Sequence, residues 1–220
     1  MKIHVKERVV KLGFQKGLGS QTVHSLVRES FWIASVWRLR VCMASADLLK
    51  FFDMIRHATL DEALETFQFP AFLALALMRE HSEVKATIKI KDSDESDKFE
   101  IEKGAKTGSI EAPAAGNIVV DHVFGELAEQ WESSRTGFKL ECEHGGGSET
   151  LLNMVWYADN VWFWAMSHDE LSEMVRQATI TSHKHGLDWK PGSLEVMYGE
   201  HVDKNERKKP TVKSLMGEKR

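Results

Sequence analysis

The run Val155-Trp156-Tyr157-Ala158-Asp159-Asn160-Val161-Trp162-Phe163-Trp164-Ala165 constrains this chain more than any other stretch. Two aromatic, β-branched segments are separated there only by Asp159 and Asn160. That pattern predicts a buried β-hairpin with Asp-Asn as its two-residue loop, because both residue types tolerate the positive φ of tight hairpin turns. By itself the polar pair is turn chemistry. It acquires a chemical meaning only if a second carboxylate reaches the same edge.

Asp47 is the candidate partner. It lies in the stretch Val41 to Asp53, which reads as a short apolar strand ending at an aspartate, and a strand fixes the backbone while the side chain reaches out of the sheet. The simpler reading, that Asp47 and Asp53 only cap local turns, stays open at this point.

The remaining elements follow from periodicity. Val23, Leu26, Val27 and Ile33 recur at helical spacing behind a glycine-rich segment, Leu12 to Ser20, with Ser20 or Thr22 as cap. No GK[ST] follows those glycines, so a loop entering a helix is preferred to a phosphate loop. Thr59-Leu60-Asp61-Glu62 fits a capping box, and a second helix from Ala71 to about His81 is read as core. Val84, Ala86, Ile88 and Ile90 alternate with polar residues, predicting a half-buried strand whose return begins at Phe99 and Ile101. Pro113 opens a helix to about Trp131, in which His122 is expected on the inner face as a satisfied histidine, not a ligand.

Phe138, Leu140 and Cys142 suggest a strand, and Gly145 to Gly147 a flexible connection into the hairpin. Ser167-His168-Asp169-Glu170 is a capping box for a helix closed by Gly186 at C′. His183 and His185 diverge on that helix and are read as surface residues. Leu187 to Lys190 and Leu194 to Tyr198 look like closing strands. The stretch from His201 to Arg220, with seven basic and three acidic residues, reads as a solvated basic tail.

Composition limits the function classes. The longest apolar run, Phe69 to Met78, is broken by Pro70 and too short to span a bilayer, and Met1 to Glu7 lacks a signal-peptide core. Cys42 and Cys142 lie far apart with no CxxC, which points to a reducing compartment, nuclear or cytoplasmic. The net charge of −4 argues mildly against a simple nucleic-acid coat.

Laid in order, the elements give a β-α-β-β-α-β layout with insertions, which can bring the Asp47 strand beside the Asp159 hairpin in one antiparallel sheet. Two carboxylates holding divalent cations are what phosphoryl transfer requires. The ordered set Asp47-Leu48-Leu49-Lys50-Phe51-Phe52-Asp53, Gly104 to Pro113, Tyr157-Ala158-Asp159-Asn160 and Gly186-Leu187 resembles the palm of a non-LTR retrotransposon (LINE-type) reverse transcriptase. The resemblance runs from about Val9 to Met197.

It implies an α+β fold of the ferredoxin-like polymerase palm type, an antiparallel sheet with helices packed on one face. Residues 1–40 would be partial fingers, 41–200 palm and 201–220 the basic tail, with no thumb after Tyr198. It implies RNA-directed DNA synthesis with Mg2+ (or Mn2+), and RNA template, DNA primer and deoxynucleotides as partners. Asp47 and Asp159 would hold the metals, and Phe52 would exclude the ribose 2′-hydroxyl. Lys106, Thr107 and Gly108 would lie against template and nucleotide.

The chain departs from the family in three motifs. Asn160 replaces an aspartate in Tyr-Ala-Asp-Asp, keeping an acceptor oxygen but losing a charge, so weaker magnesium binding is expected. Thr107 replaces a glutamine. Gly192 and Ser193 occupy the slot of a lysine proposed to protonate pyrophosphate, for which Lys190 is the candidate substitute. Two functions therefore stand side by side: a polymerase, or a non-catalytic nucleic-acid-binding remnant of one.

Overall fold

The computed structural model describes residues 10–13, 15, 17–82, 85–89, 96–105, 108–141 and 149–207. Its centre is a five-stranded sheet in the order β1-β7-β8-β2-β9, formed by Val10–Lys11, Met154–Tyr157, Asn160–Ala165, Cys42–Asp47 and Glu195–Tyr198. All neighbours run antiparallel except β1 and β7, which are parallel.

The helices are α1 (Ser20–Val36), α2 (Phe51–Met54), α3 (His57–Thr66), α4 (Ala71–Ser82), α5 (Ala112–Ser133) and α6 (His168–Lys184). Two small ladders, β3 (Lys85–Ala86) with β4 (Phe99–Glu100) and β5 (Phe138–Glu141) with β6 (Glu149–Leu152), and a 3-10 turn at Lys204–Glu206 accompany them.

The near-continuous apolar character of β2 and β8 has a direct cause: both faces of the sheet are covered. Cys42, Ala44 and Ala46 join one cluster with Trp156, Phe163, and the inner residues of α3, α5 and α6. Their alternating neighbours Val41, Met43, Val155 and Trp164 join a second cluster with Val23 and Ala34 of α1 and Phe138 of β5. The expected single helical face thus holds for α3, α5 and α6, while α1 lies on the other side. Buried indoles are satisfied, as their polarity demands. Trp164 Nε1 donates to Ser30 Oγ at 3.1 Å and Trp131 Nε1 to Gln177 Oε1 at 2.8 Å.

Several local expectations are corrected. The capping box at Thr59 is not used: α3 begins two residues earlier with Arg56 as cap, and Thr59 is buried inside it. α4 spans the predicted range, yet Phe72 and Leu75 are exposed, so it is not all core. The strand expected from Val84 to Ile90 shortens to Lys85–Ala86, with Ile88 exposed; Val84 and Ile90 lie outside the described residues.

β6 went unforeseen, because Glu149-Thr150-Leu151-Leu152 lies only one residue beyond the glycines and reads as part of the connection. Cys142 and Gly145 to Gly147 lie outside the described residues. Nor is the start of the predicted tail simply solvated. Val202 is buried, Arg207 donates to the carbonyls of Gly199, Glu200 and Val202, and Glu206 pairs with Arg40.

Candidate active site

The hairpin forms with a one-residue offset from expectation. Tyr157 pairs with Asn160, so the loop residues are Ala158 and Asp159, and it is Ala158 that takes the positive φ of 56°. Asn160 is instead the first residue of β8. The turn is held from below, where Trp156 Nε1 donates to Ala158 O at 2.7 Å. Trp156 is itself fixed by ring contacts with Phe124 at 4.9 Å and Phe51 at 6.4 Å.

β2 delivers Asp47 to the same edge. Its register partner in β8 is Asn160, and the ladder continues one step as Leu48 N–H donates to Asp159 O at 2.8 Å. Asp47 and Asp159 therefore come from positions more than a hundred residues apart to adjacent places at one sheet edge. Both are half-buried. Asn160 Nδ2 donates to Asp159 Oδ1 at 3.2 Å, so the substituted amide engages its neighbouring carboxylate.

On the other flank of β2, Lys190 N–H donates to Asp47 O at 2.8 Å, and its ammonium lies 3.7 Å from Asp47 Oδ2. Ser193 closes the loop, with Oγ accepting from Asp47 N–H at 3.0 Å. Lys190 is thus delivered to the edge by the turn that follows α6, in the segment expected to close the sheet.

Phe52 lies in α2, half-buried, with its ring 5.0 Å from that of Phe51. Gly116 of α5 lets the two rings approach: a Cβ there would stand 3.0 Å from Phe52 Cε1 and 3.1 Å from Phe51 Cε1. The Gly104 loop is laced to this helix, Ala105 N–H donating to Phe52 O and Gly104 N–H to Ile55 O, each at 2.7 Å. Gly108 follows with φ 84° and is exposed, whereas Lys106 and Thr107 lie outside the described residues.

Gly13 belongs to the site by contact alone. A Cβ at Gly13 would fall 2.6 Å from Ala158 N, so only glycine lets the segment after β1 pass over the turn. The sequence presented Gly13 as one of several loop glycines, and nothing local singled it out.

One further group was missed. His122 and His185, read respectively as an inner-face and a surface residue, meet edge to face at 5.5 Å, with His122 Nε2 3.8 Å from Glu62 Oε2. Burial holds the His185 pKa below its ordinary value, and the adjacent His122 acts in the same direction. His183 is exposed as expected and bonds Asp188 at 2.8 Å.

Comparison with known proteins gives one family: residues 12–214 match the description "reverse transcriptase (RNA-dependent DNA polymerase)". No curated protein sequence matches. Among solved structures, telomerase from Candida albicans, in complex with a TWJ fragment of telomeric RNA, is similar with a TM-score of 0.63 at 8% identity, covering 88% of this chain and 33% of that one. Apo telomerase from Candida tropicalis, truncated from its C-terminal domain, has a TM-score of 0.56 at 11% identity, covering 86% and 36%. At such identities the likeness is one of fold, and the chain spans about a third of the length of each of those proteins.

Proposed function

The chain belongs to the reverse transcriptase (RNA-dependent DNA polymerase) family, and we propose that it is the palm of a retroelement polymerase, of the non-LTR type its motifs resemble, acting in RNA-templated DNA synthesis. In this reading residues 1–40 are partial fingers, 41–200 palm and 201–220 a basic tail. The observation that carries it is the pairing of β2 with β8, which sets Asp47 beside the Asp159 turn at one sheet edge.

The donor set fits the ions such an activity implies. Asp47 and Asp159 offer carboxylates and Asn160 an amide oxygen, all hard ligands suited to Mg2+ or Mn2+. An ammonium already stands 3.7 Å from Asp47 Oδ2, as a cation would. Bound divalent cations supply charge neutralisation at the phosphorus oxygens and lower the pKa of the attacking primer hydroxyl. The chain's own residues do the rest. Lys190 holds a proton for the departing pyrophosphate, and the Phe52 ring blocks a ribose 2′-hydroxyl. The Gly104–Gly108 loop with Lys106 and Thr107 bears on template and nucleotide.

The test is primer extension by the purified chain on an RNA template with Mg2+ or Mn2+. Extension that disappears in Asp47→Ala supports the reading. No extension with either metal, even in Asn160→Asp, would sink it.

A second reading, a non-catalytic nucleic-acid-binding remnant, is favoured by Asn160 and by the Lys190 ammonium beside Asp47. It predicts salt-dependent RNA binding with no extension.

A further inference from the structure

We propose that Glu62, His122 and His185 form a second metal site, for a divalent transition metal of the zinc type, built from helices and not from the catalytic edge of the sheet. One ligand atom from each lies within 4.8 Å of the other two, the one such group among the described residues. A tetrahedral zinc ion with nitrogen and oxygen ligands at about 2.0–2.2 Å needs those atoms roughly 3.3–3.6 Å apart. The widest pair therefore has to close by at most about 1.5 Å, within the reach of side-chain rotation. His122 Nε2 and Glu62 Oε2 are already at 3.8 Å, and the Glu62 side chain is 63% exposed and can swing.

The three backbones are held by independent means. Glu62 sits on α3 and His122 on α5, two helices packed together over the core. His185 is the C-cap of α6, and its position is set by Gly186, which takes the left-handed φ of 76° needed to end that helix. Apolar packing gives no reason for two imidazoles and a carboxylate to converge; ligation does.

The donor chemistry separates this site from Asp47 and Asp159. Two imidazoles with one carboxylate favour zinc and its neighbours, with water as fourth ligand, whereas an oxygen-only set favours magnesium. The lowered pKa of His185 agrees with a neutral ring that offers a lone pair at neutral pH. Two cations oppose binding. The Arg56 guanidinium lies against Gly186, where an added Cβ would be 2.4 Å from its Nε, and Lys184 adjoins His185. A moderate affinity follows, not a zinc-finger affinity.

Occupancy would tie α3, α5 and the end of α6 together. That end leads through Gly186 and Leu187 to Lys190, whose N–H bonds Asp47 O at 2.8 Å, so the metal would stiffen the segment flanking Asp47.

The test uses the whole chain, stripped with a chelator and titrated with Co2+ and then Zn2+. One equivalent of Co2+ should give the visible absorption of a low-coordinate ion, Zn2+ should displace it, and Zn2+ should raise the melting temperature. Glu62→Gln and His185→Gln should each weaken binding by about tenfold or more, since even outer-shell partners of a metal typically cost 10–100-fold. Neither position is in the core, and circular dichroism would verify that both variants fold. Asp47→Ala should leave the Co2+ spectrum unchanged, so a failure of polymerase activity would not touch this result. Absence of stoichiometric binding, or binding retained in the Glu62→Gln/His185→Gln double variant, would overturn the site, as would loss of the spectrum in Asp47→Ala.

Discussion

Asp47 and Asn160 face each other as register partners across β2 and β8, so the amide that replaces a carboxylate stands directly opposite the aspartate ending the neighbouring strand. Asn160 also donates to Asp159 Oδ1 at 3.2 Å. Asn160→Asp removes that donor and sets a like charge beside Asp159. Without metal, the variant should lose about 0.5–1 kcal/mol at neutral pH, the scale of partly exposed charge pairs, which lowers Tm by about 1–4 °C in a chain of this size. The loss should vanish in acid, where the added carboxyl is protonated. With Mn2+ the order should reverse, because a third carboxylate would strengthen the proposed site. Thermal melts with and without Mn2+ decide it: a metal-induced shift no larger than that of the parent chain would mean that position 160 does not face the ion.

Lys190 is 60% exposed, so its ion pair with Asp47 contributes little to stability. Its position matters more than its energy, because an ammonium 3.7 Å from Asp47 Oδ2 would compete for that oxygen with the divalent cation proposed there. Lys190→Gln should therefore tighten Mn2+ binding a few-fold while leaving Tm nearly unchanged. If Lys190 also protonates pyrophosphate, kcat for extension should fall with little change in the KM for nucleotide. Mn2+ titration followed by electron paramagnetic resonance reads the first effect, and unchanged affinity would show that the ammonium does not compete.

Gly13 tests whether the turn depends on close backbone approach. Its φ is not in the left-handed region, so the demand for glycine comes only from the 2.6 Å that a Cβ would leave to Ala158 N. Because that neighbour is backbone, relief requires the hairpin tip or the β1 segment to move. Gly13→Ala should cost about 1–3 kcal/mol, as overpacking does, and lower Tm by roughly 2–12 °C. Hydrogen exchange should locate the damage, with the Leu48 amide, which donates to Asp159 O, losing protection. A variant as stable as the parent would show that the segment passes over the turn with room to spare.

These residues also mark how far the sequence carried the fold. Continuous aromatic and β-branched runs located β7 and β8, the apolar stretch around Asp47 located β2, and Ser167 located the start of α6, where its Oγ accepts from Glu170 N–H at 3.2 Å. Local chemistry determines such features. The hairpin loop slipped by one residue because Trp156 Nε1 captures Ala158 O, a contact that turn propensity does not contain. The start of α3 moved because tertiary packing buries Thr59. Glu170, read as a capping-box partner, instead accepts from Gly137 N–H at 3.0 Å and Met166 N–H at 2.8 Å. Gly13, and the meeting of Glu62, His122 and His185, were illegible for the same reason: they are created by elements from distant parts of the chain.

Cys42 offers a measurement independent of any activity. It lies fully buried in β2 between Ala165 and Tyr198 of the flanking strands, and burial pushes its thiol from an ordinary 9.0 up to about 12, against a weaker downward pull from Arg40. At pH 8 the thiolate fraction is on the order of one in ten thousand, too small for a buried sulfur to react at a useful rate. In a Cys142→Ser background, the native chain should therefore give no reaction with a disulfide reagent, and one equivalent after unfolding in guanidinium. The folded state keeps its thiol proton to higher pH than the unfolded chain, so this group leaves stability unchanged below about pH 9 and lowers it progressively as pH rises toward 12. Cys42→Ala should remove that limb, so the stability difference between parent and variant should shift in favour of the variant between pH 8 and pH 10.5. A difference constant over that range, or rapid native reaction of the thiol, would mean that β2 opens to solvent far more often than its burial on both faces allows.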